Sequence, residues 1–112
     1  MLDVRPYMVE QLEAVLPVYY DQFVEQAELP CITYRELTDN AGHEAGSHRY
    51  SEQFYQIKIF TYNLADSAAY ASAVDKIMYK IGAKRLSSNE MNVNRQIITI
   101  LNYSFQTLEI EE

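Results

Sequence analysis

The chain has no tryptophan, one cysteine, and 9 lysines and arginines against 16 aspartates and glutamates in 112 residues. Each shortage excludes something. A single cysteine, Cys31, cannot close an internal disulfide and fits a reducing cytoplasm. A net charge of −7 argues against a grip on nucleic acid, which takes clustered Lys and Arg to displace counterions from phosphates. No apolar run reaches the length of a membrane span, and Met1-Leu2-Asp3-Val4-Arg5-Pro6 carries no apolar signal core, so no membrane partner is expected. What is present is 48% hydrophobic residues, including ten tyrosines. That composition and length predict one compact domain over 1–112 with a core of its own.

Periodicity predicts a helix, two or more strands, a second helix and closing strands. Met8, Leu12, Val15 and Leu16 form one stripe of a helix over about Asp3 to Leu16, with Asp3 as N-cap, Pro6 in the first turn and Pro17 as its stop. Val18-Tyr19-Tyr20 reads as a short extended piece and Asp21 to Pro30 as an acidic loop. Cys31 to Thr38 is a β-branched and aromatic strand, and Arg49 to Tyr62 a long one. Tyr70, Ala73, Val74, Ile77, Met78 and Ile81 share a face of a helix over about Asp66 to Ile81. Asn63 is positioned to cap that helix and Gly82 to end it. Ser87-Ser88-Asn89-Glu90 reads as a tight turn between Lys84 to Leu86 and Met91 to Asn94, and Arg95 to Leu108 as the final strand. The expected fold class is α+β: a mostly antiparallel sheet of four to five strands with two helices packed on one face.

A sheet covered on one side should turn polar on the other. The long middle strand does not. Tyr55, Ile57 and Ile59 share one face while Tyr50, Phe54, Phe60 and Tyr62 share the opposite one. The last strand repeats the pattern, with Ile97, Leu101, Tyr103 and Phe105 against Ile98 and Ile100. Two helices cannot cover both faces, so a second copy or a partner is expected on the open one. Tyrosine in place of tryptophan suits a surface dry when assembled and wet when not.

Sites for chemistry are scarce. Asn40, Gly42, His43, Glu44, Gly46 and His48 form a polar hairpin tip, with two imidazoles and one carboxylate where zinc takes three or four ligands. A solvated tip is the simpler account, and neither metal nor cofactor is expected. Cys31 has no base placed beside it, and the glycines lack the Lys-Ser/Thr of a phosphate loop. The pattern is that of a protein that is not an enzyme.

Several segments taken in order resemble one family. Glu28-Leu29-Pro30-Cys31-Ile32-Thr33-Tyr34-Arg35-Glu36 is followed by Gln56-Ile57-Lys58-Ile59-Phe60-Thr61-Tyr62 and an alanine-rich helix. Val74-Asp75-Lys76-Ile77-Met78 then leads to Ile81-Gly82-Ala83-Lys84-Arg85-Leu86-Ser87-Ser88, and Arg95-Gln96-Ile97-Ile98-Thr99-Ile100 closes the series. Together they resemble the tail terminator, or tail-to-head joining, proteins of long-tailed bacteriophages. The family often has an aromatic or small residue where Cys31 stands, and the hairpin from Asn40 to His48 has no counterpart.

The resemblance implies a virion protein of the tail and neck, made in the host bacterial cytoplasm. It implies a ring, typically of six copies, on the head-proximal end of the tail tube. The ring would end polymerisation of the tube protein and receive the head connector or stopper. Genomic DNA would cross its channel without specific binding, which an acidic chain favours. Ring contacts are heterologous, with one patch meeting a different patch on the neighbour. The expected contact residues are Tyr50, Phe54, Phe60 and Tyr62, with Arg85 and Arg95 pairing to acidic groups at the rim. The loop from Asp39 to His48 is expected to reach the channel or a neighbour. Two other readings fit the same residues: a small ferredoxin-like regulatory or ligand-binding dimer, and another phage neck component such as a stopper.

Overall fold

A computed structural model describes residues 5–20, 29–37, 50–93 and 95–108. In chain order these form α1 (Arg5–Leu12), β1 (Val18–Tyr20), β2 (Cys31–Leu37), β3 (Tyr50–Thr61), α2 (Leu64–Lys80), β4 (Lys84–Val93) and β5 (Gln96–Leu108). The five strands make one sheet in the order β1-β2-β3-β5-β4. Every neighbouring pair is antiparallel except β1 with β2. The fold is α+β. The unit β3-α2-β4 is a split crossover: its two strands run parallel and β5 lies between them. Among the described residues the order is helix, three strands, helix, two strands.

Alternation of side chains decides where the core sits. Tyr55, Ile57 and Ile59 of β3 stand opposite Tyr103, Leu101 and Thr99 of β5, and Ile32 of β2 extends the same face. Met8, Leu12 and Leu16 from the first helix and its exit pack on that face with Val74 and Met78 of α2. Each fully buried aliphatic or aromatic side chain in such a cluster contributes about 1.5–3 kcal/mol relative to exposure. Two hydrogen bonds pin α2 to the sheet. Ser67 Oγ and Thr99 Oγ1 lie 2.6 Å apart and both are buried, while the Tyr103 hydroxyl donates to Asp75 Oδ1 at 2.8 Å.

The ends of α2 follow from their sequence. Asn63 is extended and its Oδ1 accepts from the Asp66 N–H at 2.8 Å, as an N-cap should. At the other end Gly82 takes φ +99°, and the Gly82 and Ala83 N–H groups donate to the Tyr79 and Met78 carbonyls at 3.0 and 2.9 Å. That is the Schellman arrangement, and it requires the left-handed backbone that glycine supplies.

Two expectations need correction. The first helix is shorter than Asp3 to Leu16: the regular part ends at Leu12, and Val15 and Leu16 donate in turns before Pro17. Ser87-Ser88-Asn89-Glu90 is not a turn. It is the middle of β4, which pairs with β5 from Lys84 to Val93 and shifts register only between Arg85 and Ser87. The sheet reverses after Val93 instead, where Val93 faces Gln96 and Arg95 has φ 67°.

Candidate functional site

The register places the six expected contact residues at two ends of one sheet. Phe54 of β3 lies opposite Leu37 and Ser104, and Arg85 opposite Tyr103, so these two mark one end. Tyr50 stands in β3 opposite Leu108, further out along the same strand. Phe60 lies opposite Cys31 and Ile98, about 20 Å away along the strand from Phe54. Tyr62 follows β3 at that second end, and Arg95 sits at the reversal beside it. The set is therefore not one patch. The loop residues Asn40, Gly42, His43, Glu44, Gly46 and His48 lie outside the described residues.

Burial then separates the six. Phe60 is only 5% exposed, covered within a single chain together with Cys31 and Thr33. It belongs to the folded monomer, and its ring is not available as an open contact. Phe54 is half-buried, and Tyr62 is 64% exposed. Arg85 has a partner in its own chain, Nη1 lying 3.6 Å from Asp75 Oδ2. Both side chains are nearly half exposed, so the pair contributes at most about 1 kcal/mol.

The sheet face opposite the core, on which no helix of the described residues packs and which is called the helix-free face below, is less uniformly apolar than strand alternation alone implies. Across its middle runs an amide ladder: Gln56 Nε2 donates to Asn102 Oδ1 at 3.2 Å, and Asn102 Nδ2 donates to Ser87 Oγ at 2.8 Å. Lys58 and Arg35 lie on the same face. Ile98 and Ile100 are half-buried, and apolar exposure collects at the end that holds Met91 and Val93.

Sequence reasoning missed the edge of the sheet. All ten residues of β4 are exposed, and among the described residues no strand lies beyond it. It carries Leu86, Met91 and Val93, each large, apolar and exposed. Beside its far end, Leu64, Glu90, Met91, Asn92 and Ile97 line a cleft of about 200 Å³. The signal in the sequence is ten residues without proline or glycine between Gly82 and the next reversal, a length that fits one strand better than two short ones.

Packing acts on two titratable groups, Tyr103 and Cys31. Burial holds the Tyr103 phenol well above its ordinary range, and the hydrogen bond to Asp75 adds to this. Burial also raises the Cys31 thiol, which keeps it protonated and unreactive at neutral pH. Among the described residues no three His, Cys, Asp or Glu side chains gather where a metal could be held, and no helix is long and apolar enough to cross a membrane.

No protein-family model matches this chain, and no curated protein sequence is significantly similar to it.

Proposed function

We propose that this chain is a structural joint that works as an oligomer, a ring capping the head-proximal end of a phage tail tube. The observation that supports it is the β4 edge: a strand of ten residues, exposed throughout and unprotected by proline, beside an apolar end. Sheet edges of that length recruit other chains unless they are blocked, and a closed ring blocks them by using them. The order of segments that resembles the tail terminators supplies the identity of the ring.

On this reading one side of the ring binds the last tube subunits and hides the surface that would recruit more. The other side differs and receives the head connector, so the tube stops growing. A net charge of −7 disfavours adhesion of phosphates to the chain, and on this reading DNA crosses the ring without specific binding.

Native mass spectrometry over a concentration series, with negative-stain images of the same samples, tests the proposal. A closed ring of about six copies, formed in solution or on added tail tubes, is the expected result. A stable dimer that never grows, with or without tubes, overturns it.

A further inference from the structure

Among the described residues the strand order ends at β4 and β1, and the two edges are chemically unlike. β4 presents Leu86, Met91 and Val93, and β1 presents Tyr19 and Tyr20, all exposed. The helical layer differs in the same sense. α1 runs through Pro17 into β1 and is tied to β2 by Arg5 Nη1 and Glu36 Oε1 at 3.9 Å; on this side Glu10 and Glu13 are exposed. The C-terminal half of α2 lies beside β4, and there Lys76, Lys80, Lys84 and Arg85 are exposed. One edge is aromatic; the other is aliphatic, with its basic residues at the Lys84 end and Glu90 beside Met91 at the other.

Strand direction permits these edges to meet. β1 is parallel to β2, β2 antiparallel to β3, and β4 runs with β3 because both are antiparallel to β5. A second copy placed beside the first, helices on the same side, therefore brings its β1 antiparallel to β4. Face parity restricts the register. Tyr19 shares the helix-free face with Thr33, and Met91 shares it with Ile98. Setting Tyr19 opposite Met91 puts Val18 opposite Asn92 and Tyr20 opposite Glu90, each pair on one face. The thioether then lies against a tyrosine ring, a favourable contact, and the Tyr20 hydroxyl has a carboxylate within reach.

We infer that the subunit contact is this edge junction, β4 of one copy receiving β1 of the next, with Tyr19 against Met91 and Tyr20 against Glu90. The inference rests on the ring reading and locates its seam. The junction is heterologous, so it propagates from copy to copy and closes only as a ring.

The test is a disulfide trap in the full chain carrying both Tyr19→Cys and Met91→Cys. Both positions are exposed, and Cys31 is buried and does not compete. Under mild oxidation, with and without added tail tubes, the double variant should give a ladder of linked oligomers on a non-reducing gel. The two single variants mixed should stop at dimers, and each alone should stay monomeric. As a second measure, Met91→Asp should lower the oligomeric fraction at least tenfold at fixed concentration while leaving the thermal midpoint unchanged. Rings seen by native mass spectrometry without a ladder would overturn the seam and leave the ring reading standing. Dimers from Met91→Cys alone would overturn it in favour of two β4 edges paired about a two-fold axis. Absence of any oligomer, with or without tubes, would overturn both.

Discussion

At the scale of single residues, the polar groups that matter are those the core cannot spare. Ser67 and Thr99 satisfy each other at 2.6 Å in a buried joint between α2 and β5. Replacing Thr99 with valine strands the Ser67 hydroxyl and should cost about 1–3 kcal/mol in a urea titration. Replacing both residues, Ser67→Ala with Thr99→Val, should recover most of that loss, because no buried donor then lacks a partner. Tyr103 makes a prediction about pH. Its folded-state pKa is raised by burial and by Asp75, so the unfolded chain loses the phenol proton first. Its contribution is complete below the ordinary tyrosine pKa, about 10, and falls as pH rises above it, by about 1.4 kcal/mol per pH unit. Tyr103→Phe should therefore be less stable than wild type at pH 7 and show a shallower loss above pH 10. A difference between the two that stays constant from pH 7 to pH 11 would refute this account.

At the scale of elements, α2 should respond to its cap. Asn63→Ala removes the acceptor for the Asp66 N–H and the reciprocal Asn63 Nδ2 to Asp66 Oδ2 bond at 3.0 Å. The expected cost is about 1 kcal/mol, read as a fall of roughly 4 °C in thermal midpoint. This helix was legible because cap, apolar stripe and terminating glycine all point the same way. β3 and β5 were legible through alternation over a dozen residues, which fixes both the strand and its core face. β4 was not. Ser87-Ser88-Asn89-Glu90 has the local composition of a turn, and nothing in those four residues records that β5 lies alongside them. The edge position also removes the alternation that marks a half-buried strand, since both faces of β4 are wet. A register shift between Arg85 and Ser87 blurs the pattern further. Pairing partners distant in the chain decided this element, and local preference yielded to them.

At the scale of the whole molecule, the division between core and contact surface is not the division between the two sheet faces. Alternation assigns Phe54 and Phe60 to one face correctly, but a face is not uniformly open, and Tyr62 lies just past the strand. The burial of Phe60 within one chain and the exposure of Tyr62 two residues later separate folding from assembly. Phe60→Asp should destroy the fold, because it places an unpaired carboxylate where a ring is packed, at a cost of about 3 kcal/mol or more. Tyr62→Asp should leave the stability within about 0.5 kcal/mol of wild type, because the side chain is exposed and makes no part of the Asn63 cap bonds. Circular dichroism on the two variants distinguishes these outcomes before any assembly is measured. A well-folded Phe60→Asp monomer would return that ring to the contact surface and shift the seam from the sheet edges to the helix-free face. The same variants then read assembly: an edge junction predicts that Tyr62→Asp leaves oligomers intact, since Tyr62 stands at the end of β3 and on neither edge strand, and loss of oligomers in that variant would move the seam off the edges.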